Sequence, residues 1–246
     1  MDIPDIVRPS PAITRALRNL GTANASATLA GLGLRDMHLH GPVAWTRGKA
    51  VAGPALTLQF LPKREDLFGA GEYNEPEKQL HRHVLYKVQA GDIVVVDARG
   101  DMASGVFGEM MLTYFKGRGG AGVVIDGCIR DYPHVEELDV PLWIRGLTPN
   151  FHTQTNIMPV AVNTTIACGG VTVVPGDIIV ADDDGAVCVP AALAEQVVEH
   201  ARKHADWEEF SKMKLMQGGD LRRYYPLHPD AQGEYEEWRK ANPFKD

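Results

Sequence analysis

Glu109, Arg130 and Asp131 are the residues whose types and spacing point most directly to chemistry. They lie in GEMMLTYFKGRGGAGVVIDGCIRD, with twenty residues between the glutamate and the arginine. The segment reads as a helix from Gly108–Glu109 to Lys116, a glycine turn, a buried strand over 121–126, and a charged pair at the strand's end. A helix followed by a returning strand brings the two ends of such a segment together. Two carboxylates and a guanidinium then converge on a helix N-terminus. Oxygen ligands there can hold a divalent cation, and backbone amides can hold an anion. The bland alternative is a surface salt bridge between Arg130 and Asp131, which contributes little. Gly117, Gly119, Gly120, Gly122 and Gly127 permit tight turns and close backbone approach on both sides of the strand.

The elements that must position these residues alternate between helix and strand. Residues 11–32 read as a helix in two pieces, broken near Gly21–Thr22. AVAGPALTLQFL reads as a strand with a bulge or sheet edge at Gly53–Pro54. Residues 62–80 form a polar loop, KQLHRHVLYKVQ a helix, and GDIVVVDARG a turn into a buried strand. YPHVEEL is a short helix and VPLWIRG a strand. The stretch VNTTIACGGVTVVPGDIIVADDDGAVCVP is strand after strand, and AALAEQVVEHARKHADWEEFSKMKLMQ is one long or kinked helix. Mixed helices and strands point to an α/β domain, and the many short β pieces argue against a plain doubly wound sheet.

Composition narrows the function. The chain has 246 residues, 44% hydrophobic and 23% charged, enough for a core in one large domain or two small ones. A net charge of −7 argues against nucleic acid as a partner, since that usually needs a basic face. No stretch has the roughly 18 apolar residues of a membrane span. The N-terminus has no basic region followed by an apolar run, so a cytoplasmic location is expected. Cys128, Cys168 and Cys188 occupy apolar or glycine-rich strand contexts and read as buried free thiols.

GEMM, GGAGVVIDGCIRD, VPLWIRGLTPN and GGVTVVPGDIIVADDDGAVCVP also carry a resemblance. They look like the family that holds the regulator of ribonuclease activity A (RraA-like proteins) and the class II pyruvate aldolases, over roughly residues 15–200. The aldolase branch is marked by an acidic residue, twenty residues, then Arg-Asp. Glu109, Arg130 and Asp131 match that pattern, whereas the ribonuclease regulators lack the Asp. The resemblance implies a layered α/β/β sandwich, similar to the swivelling phosphohistidine domain, over residues 1–204. Residues 205–246 would be a C-terminal helical extension packing on the core or on a neighbouring subunit. Its Trp207, Phe210, Tyr224, Tyr225, Tyr235, Trp238 and Phe244 need a surface to cover.

The implied activity is a carbon–carbon lyase dependent on Mg²⁺ or Mn²⁺. It would cleave 4-hydroxy-2-oxo acids of the 4-hydroxy-4-methyl-2-oxoglutarate type to pyruvate plus a keto acid, and decarboxylate oxaloacetate on the side. Asp131 and Glu109 would serve the metal. Gly108, Met110 and Met111 would bind the substrate through the helix start, and Arg130 would bind it and neutralise the enolate. The assembly would be a homotrimer or homohexamer with sites between subunits. The rival readings are a non-catalytic ribonuclease regulator that acts by protein binding, and a lyase for sugar-derived 2-oxo acids.

Other candidates are weaker. GRGGAG precedes a strand rather than a helix and has no G-K-[ST] ending, so it is not read as a P-loop. His81 and His83, two apart on a helix, do not share a face and read as surface residues. Asp182, Asp183 and Asp184 before Gly185 read as a hairpin turn, with a neighbour's site as the alternative. Ser104 has no nucleophile elbow. Lys87 and Lys116 lie in no apolar strand that would activate them for a Schiff base. Loop 62–80 and the tail are the segments that could reshape a pocket.

Overall fold

Four apolar strands form the centre of the domain that carries Glu109, Arg130 and Asp131. They are β2 (Val51–Pro62), β3 (Ile93–Gly105), β4 (Gly122–Ile129) and β5 (Leu142–Leu147), mutually parallel in the order β5-β4-β3-β2. Their near-continuous apolar runs have the composition of strands covered on both faces. Val94, Val96, Val123 and Ile125 face one buried cluster, while Ile93, Val95 and Val124 face another.

Helices supply the cover on the first side. Val84 and Leu85 come from α2 (Leu80–Tyr86), Leu112 and Phe115 from α3 (Glu109–Gly117), and Val135 from α4 (Tyr132–Glu137). Strands supply the cover on the second side: β7 (Ile166–Cys168), β8 (Val171–Val173), β9 (Ile178–Asp182) and β10 (Gly185–Val189). The structure described is a computed structural model covering residues 3–68, 74–151 and 155–242, excepting the side chains of 202–206.

The expected α/β class therefore holds, with one difference from separate layers. β2 pairs with β3 on one side and passes antiparallel to β9 over Val51–Pro54, while β6 (Ile157–Val162) joins β2 further along. The two ends of this sheet, β1 (Val43–Ala44) and β10, come into contact, so the sheet is nearly closed. Pro54 lies neither at a bulge nor on an edge strand. It ends the β9 pairing one residue before the β3 pairing begins at Ala55, and the bulge falls at Gln59/Phe60. At Gly53 a Cβ would collide with the Gly91 carbonyl, which explains the glycine.

Helix α1 (Pro11–Gly31) is interrupted where expected, with Gly21 at φ 77°, ψ 167°. The second piece is capped from a distance. The Thr22 amide and hydroxyl donate to the Asp182 carboxylate at 2.9 and 2.6 Å. Asp182 itself pairs with Gly185 at the end of the β9–β10 hairpin, so the triple aspartate makes the expected turn.

The chain folds into two compact units, Met1–Glu195 and Gln196–Asp246. The expected boundary at 204/205 falls inside the helix α5 (Ala194–Met216). In the second unit Phe210 is fully buried against the rings of Tyr224, Tyr235 and Trp238, with centroids 6.0, 5.7 and 5.7 Å away. These aromatics thus cover one another as a small core of their own; Phe244 lies outside the described residues. Among the described residues no helix is long and apolar enough to cross a membrane.

Candidate active site

The returning strand delivers Arg130 and Asp131 to the start of α3. β4 runs to Ile129, three residues beyond the expected end at 126, so Arg130 follows it directly. The Arg130 amide donates to the Phe107 carbonyl at 3.0 Å, and the Val106 amide to the Cys128 carbonyl at 2.9 Å. These bonds lock the segment before α3 alongside the end of β4. At Gly105 a Cβ would lie 2.7 Å from the Asn150 carbonyl oxygen and 3.0 Å from the Arg130 Cβ, so only glycine passes behind the arginine.

α3 starts as read, at Glu109, after Gly108 in extended conformation. A glutamate in the first turn and Lys116 in the last complement the helix dipole. Leu112 and Phe115, three apart, point into the core. Met110 is 75% exposed, which leaves this end of the helix open to a ligand.

Asp131 occupies the cap position of α4 in left-handed conformation, φ 60° and ψ 28°, and its side chain does not cap that helix. The carboxylate turns instead toward α3, where the Glu109 amide donates to Oδ2 at 3.4 Å. Arg130 Nη1 is also 3.4 Å from Oδ2, with the two side chains 35% and 36% exposed. A long, solvated pair of this kind contributes at most about 1 kcal/mol. It does not tie up the guanidinium.

These residues line one cleft of about 230 Å³, where Gly108, Glu109, Met110 and Met111 join Arg130 and Asp131. Every site position expected from sequence is thus brought together. Part of the lining was not anticipated. It comes from Gln79, His81 and Arg82 at the start of α2 and from Phe151. His81 is therefore 3% exposed and lines the cleft rather than the surface, because its turn of α2 packs inward with Val84 and Leu85. Arg82 Nε donates to Gln79 Oε1 at 2.8 Å, three residues back along the chain.

The donor set suits a hard cation. Glu109 and Asp131 offer carboxylate oxygens, and among the described residues no three His, Cys, Asp or Glu side chains converge. Two carboxylates with room for water and ligand fit Mg²⁺ or Mn²⁺, which keep several non-protein ligands. The donor set lacks the closed nitrogen and sulfur shell of a structural zinc.

The remaining candidates lie elsewhere. Ser104 is buried and bonded to Thr155 through its hydroxyl. Lys116 donates to the Leu138 carbonyl. The three cysteines are free and buried, and burial pushes all three thiols up. Asp126 on β4 accepts from Arg145 on β5 and from the Gly169 amide at 3.3 Å, a buried polar network that joins the strand layers.

Known proteins are similar to this chain in fold and sequence. A solved structure described as "Streptomyces coelicolor RraAS2, an unusual member of the RNase ES inhibitor RraA protein family" is 45% identical, with 84% of this chain and 98% of that chain covered and a TM-score of 0.76. An uncharacterized protein from Pseudomonas syringae pv. tomato is 26% identical, with 90% and 99% covered and a TM-score of 0.75. A Halalkalibacterium halodurans protein named "Putative 4-hydroxy-4-methyl-2-oxoglutarate aldolase" is 39% identical over 48% of this chain. That match spans 56% of the relative's length, little more than half. The RraA-like family profile, described as Aldolase/RraA, matches residues 22–188, a span that includes every residue of the cleft. With most of its length matched, the chain belongs to the RraA-like family.

Proposed function

We propose that the protein is a divalent-metal-dependent lyase that cleaves the C3–C4 bond of 4-hydroxy-2-oxo acids and releases pyruvate. The observation that carries this is the meeting of Glu109, Asp131 and Arg130 at the open N-terminus of α3 in one cleft. Asp131 would ligate the cation, and Glu109 would orient water beside it. The bound cation supplies electrophilic stabilisation of charge on the 2-oxo oxygen. The backbone amides at Met110 and Met111 hold the C1 carboxylate. As the 4-hydroxyl gives its proton to water in the cleft, C4 leaves as the carbonyl of the second keto acid, and the C3–C4 electron pair moves toward the 2-oxo group as pyruvate enolate, which takes a proton from water at C3. Arg130 stabilises that enolate, the kind of preorganised contact that contributes most to such reactions.

Oxaloacetate loses CO₂ through the same enolate and is expected to be a side substrate. The favoured substrate is of the 4-hydroxy-4-methyl-2-oxoglutarate type, supported by the name of the Halalkalibacterium relative. We propose a trimeric or hexameric assembly in the cytoplasm. Helices on one face of the sheet and strands on the other support an α/β/β layering of the swivelling phosphohistidine type.

The second reading is a protein-binding ribonuclease regulator, favoured by the 45% identity to the RraAS2 structure. The deciding experiment is pyruvate release from a panel of 4-hydroxy-2-oxo acids, with Mg²⁺ or Mn²⁺ and with EDTA. Turnover that EDTA abolishes and metal restores supports the lyase. Activity that survives EDTA, with substrate trapped by borohydride, overturns the metal route. No turnover together with ribonuclease binding selects the regulator.

A further inference from the structure

Arg82, on α2, lines the cleft together with Glu109, Arg130 and Asp131, as a second guanidinium from a separate element. Its Nε is fixed on Gln79 Oε1 at 2.8 Å, and the Arg82 amide also bonds the Gln79 carbonyl at 2.9 Å. The residue is half-buried, and its Nε donates to an amide oxygen rather than to a carboxylate. A guanidinium held by one edge, with its other edge turned to a cavity, is a ready fork for an incoming carboxylate. The charge balance agrees. Two carboxylates and a divalent cation cancel, which leaves Arg130 and Arg82 as two positive charges for one ligand.

We infer that Arg82, positioned by Gln79, binds the distal carboxylate of a dianionic substrate and so makes the cleft selective for 2-oxo diacids. This inference rests on the lyase reading for the placement of the C1 end on α3. Arg130 takes the 2-oxo end and Arg82 the far end, so that the C3–C4 bond is stretched between two fixed anchors. A substrate without the second carboxylate would leave Arg82 solvated and lose that anchor.

The test uses binding, so that it stands apart from turnover. The probes are 2-oxoglutarate, which has the diacid skeleton without the reactive hydroxyl, and 2-oxopentanoate, which has the same chain length without the distal carboxylate. Both are titrated by calorimetry into the full protein with Mg²⁺. Wild type is expected to prefer the diacid by about tenfold or more, the size of one charge-assisted hydrogen bond. Arg82→Gln should bring the two Kd values within about twofold by weakening the diacid alone, and Arg82→Lys should retain part of the preference. An unchanged preference in Arg82→Gln, equal weakening of both ligands, or no preference in wild type overturns the assignment. An Arg82-dependent preference in a protein that releases no pyruvate upholds Arg82 and sinks the lyase reading instead.

Discussion

Gly108 and Asp131 stand so close that a Cβ on residue 108 would overlap Asp131 Oδ2. The same Cβ would lie 3.1 Å from both Cγ and Nε of Arg130. Gly108 has φ −128° and ψ −173°, a conformation open to any residue, so the glycine is required by space and not by backbone freedom. Gly108→Ala should therefore fold normally and displace the carboxylate that we assign to the metal. A misplacement of about 1 Å costs on the order of 10²-fold in rate. The check is kcat for pyruvate release beside the melting temperature. A folded Gly108→Ala with the wild-type rate would show that Asp131 has no fixed role.

Asp131 and Arg130 can be separated by substitution. Asp131 holds a left-handed conformation that asparagine also tolerates, so Asp131→Asn removes charge without backbone strain. It should weaken Mg²⁺ activation strongly. Arg130→Ala should leave the metal requirement unchanged and lower kcat by about 10²–10³-fold, the typical cost of one stabilising contact to a developing oxyanion. Both variants should lose oxaloacetate decarboxylation and aldol cleavage in parallel, because both reactions pass through one enolate. Unequal losses in the two reactions would break the shared-enolate mechanism.

Much of the site was legible because it is built from one short segment. The helix start at Glu109 and the apolar run into Arg130 carry their own signals, and a returning strand needs no long-range information to close the pair. The α2 wall was not legible. Arg82 joins Arg130 in lining the cleft through the packing of α2 on the core, which no local pattern encodes. Asp126 and Arg145 were likewise missed as a pair. Asp126 is a single buried charge in an apolar strand, which demands a partner. The partner could be named only from the neighbouring places of β4 and β5 in the sheet. The break at Gly21 was readable, but its distant cap was not, since Asp182 lies 160 residues away.

That cap makes a stability prediction. Asp182 accepts from the Thr22 amide and hydroxyl and from the Asp184 amide at 3.0 Å. Asp182→Ala leaves the second piece of α1 uncapped and should cost about 1–2 kcal/mol in urea unfolding. Among the described residues Asp183 accepts only from the exposed Gly48 amide, at 3.0 and 3.2 Å, so Asp183→Ala should cost below about 0.5 kcal/mol. Equal costs for the two would deny Asp182 its capping role.

Asp97 sets a pH dependence. Burial pushes its carboxyl above the usual range, and the charge of nearby Asp126 adds to the effect against amide bonds from Arg99 and Ala167. The folded protein then holds this proton more tightly than the unfolded chain. Its contribution is fully present below the unfolded carboxylate value of about 4 and is lost as pH rises through the higher folded value. Asp97→Asn keeps an acceptor for the Arg99 amide at 3.1 Å and removes the titration. Its urea midpoint should gain on wild type as pH rises from about 4 through the higher folded value and then hold that lead. Parallel curves would mean that Asp97 titrates alike in both states.

The last prediction concerns the unit Gln196–Asp246. Its apolar centre is small, with Phe210, Tyr224 and Ala231 buried and Tyr235 and Trp238 packed on them. Lys214 and Arg223 each lie 2.6 Å from Glu234, but these pairs are partly exposed and contribute little beside the rings. Phe210 touches three of the aromatics, so Phe210→Ala removes the contact that joins α5 to α6 (Leu221–Tyr224) and α7 (Gln232–Ala241). Such truncations cost about 3–5 kcal/mol, which is a large share of what a core this size supplies. Amide exchange should therefore accelerate across α6 and α7 while β3 and β4 keep their protection. Protection retained in α6 and α7 would show that something other than the Phe210 cluster holds this unit together.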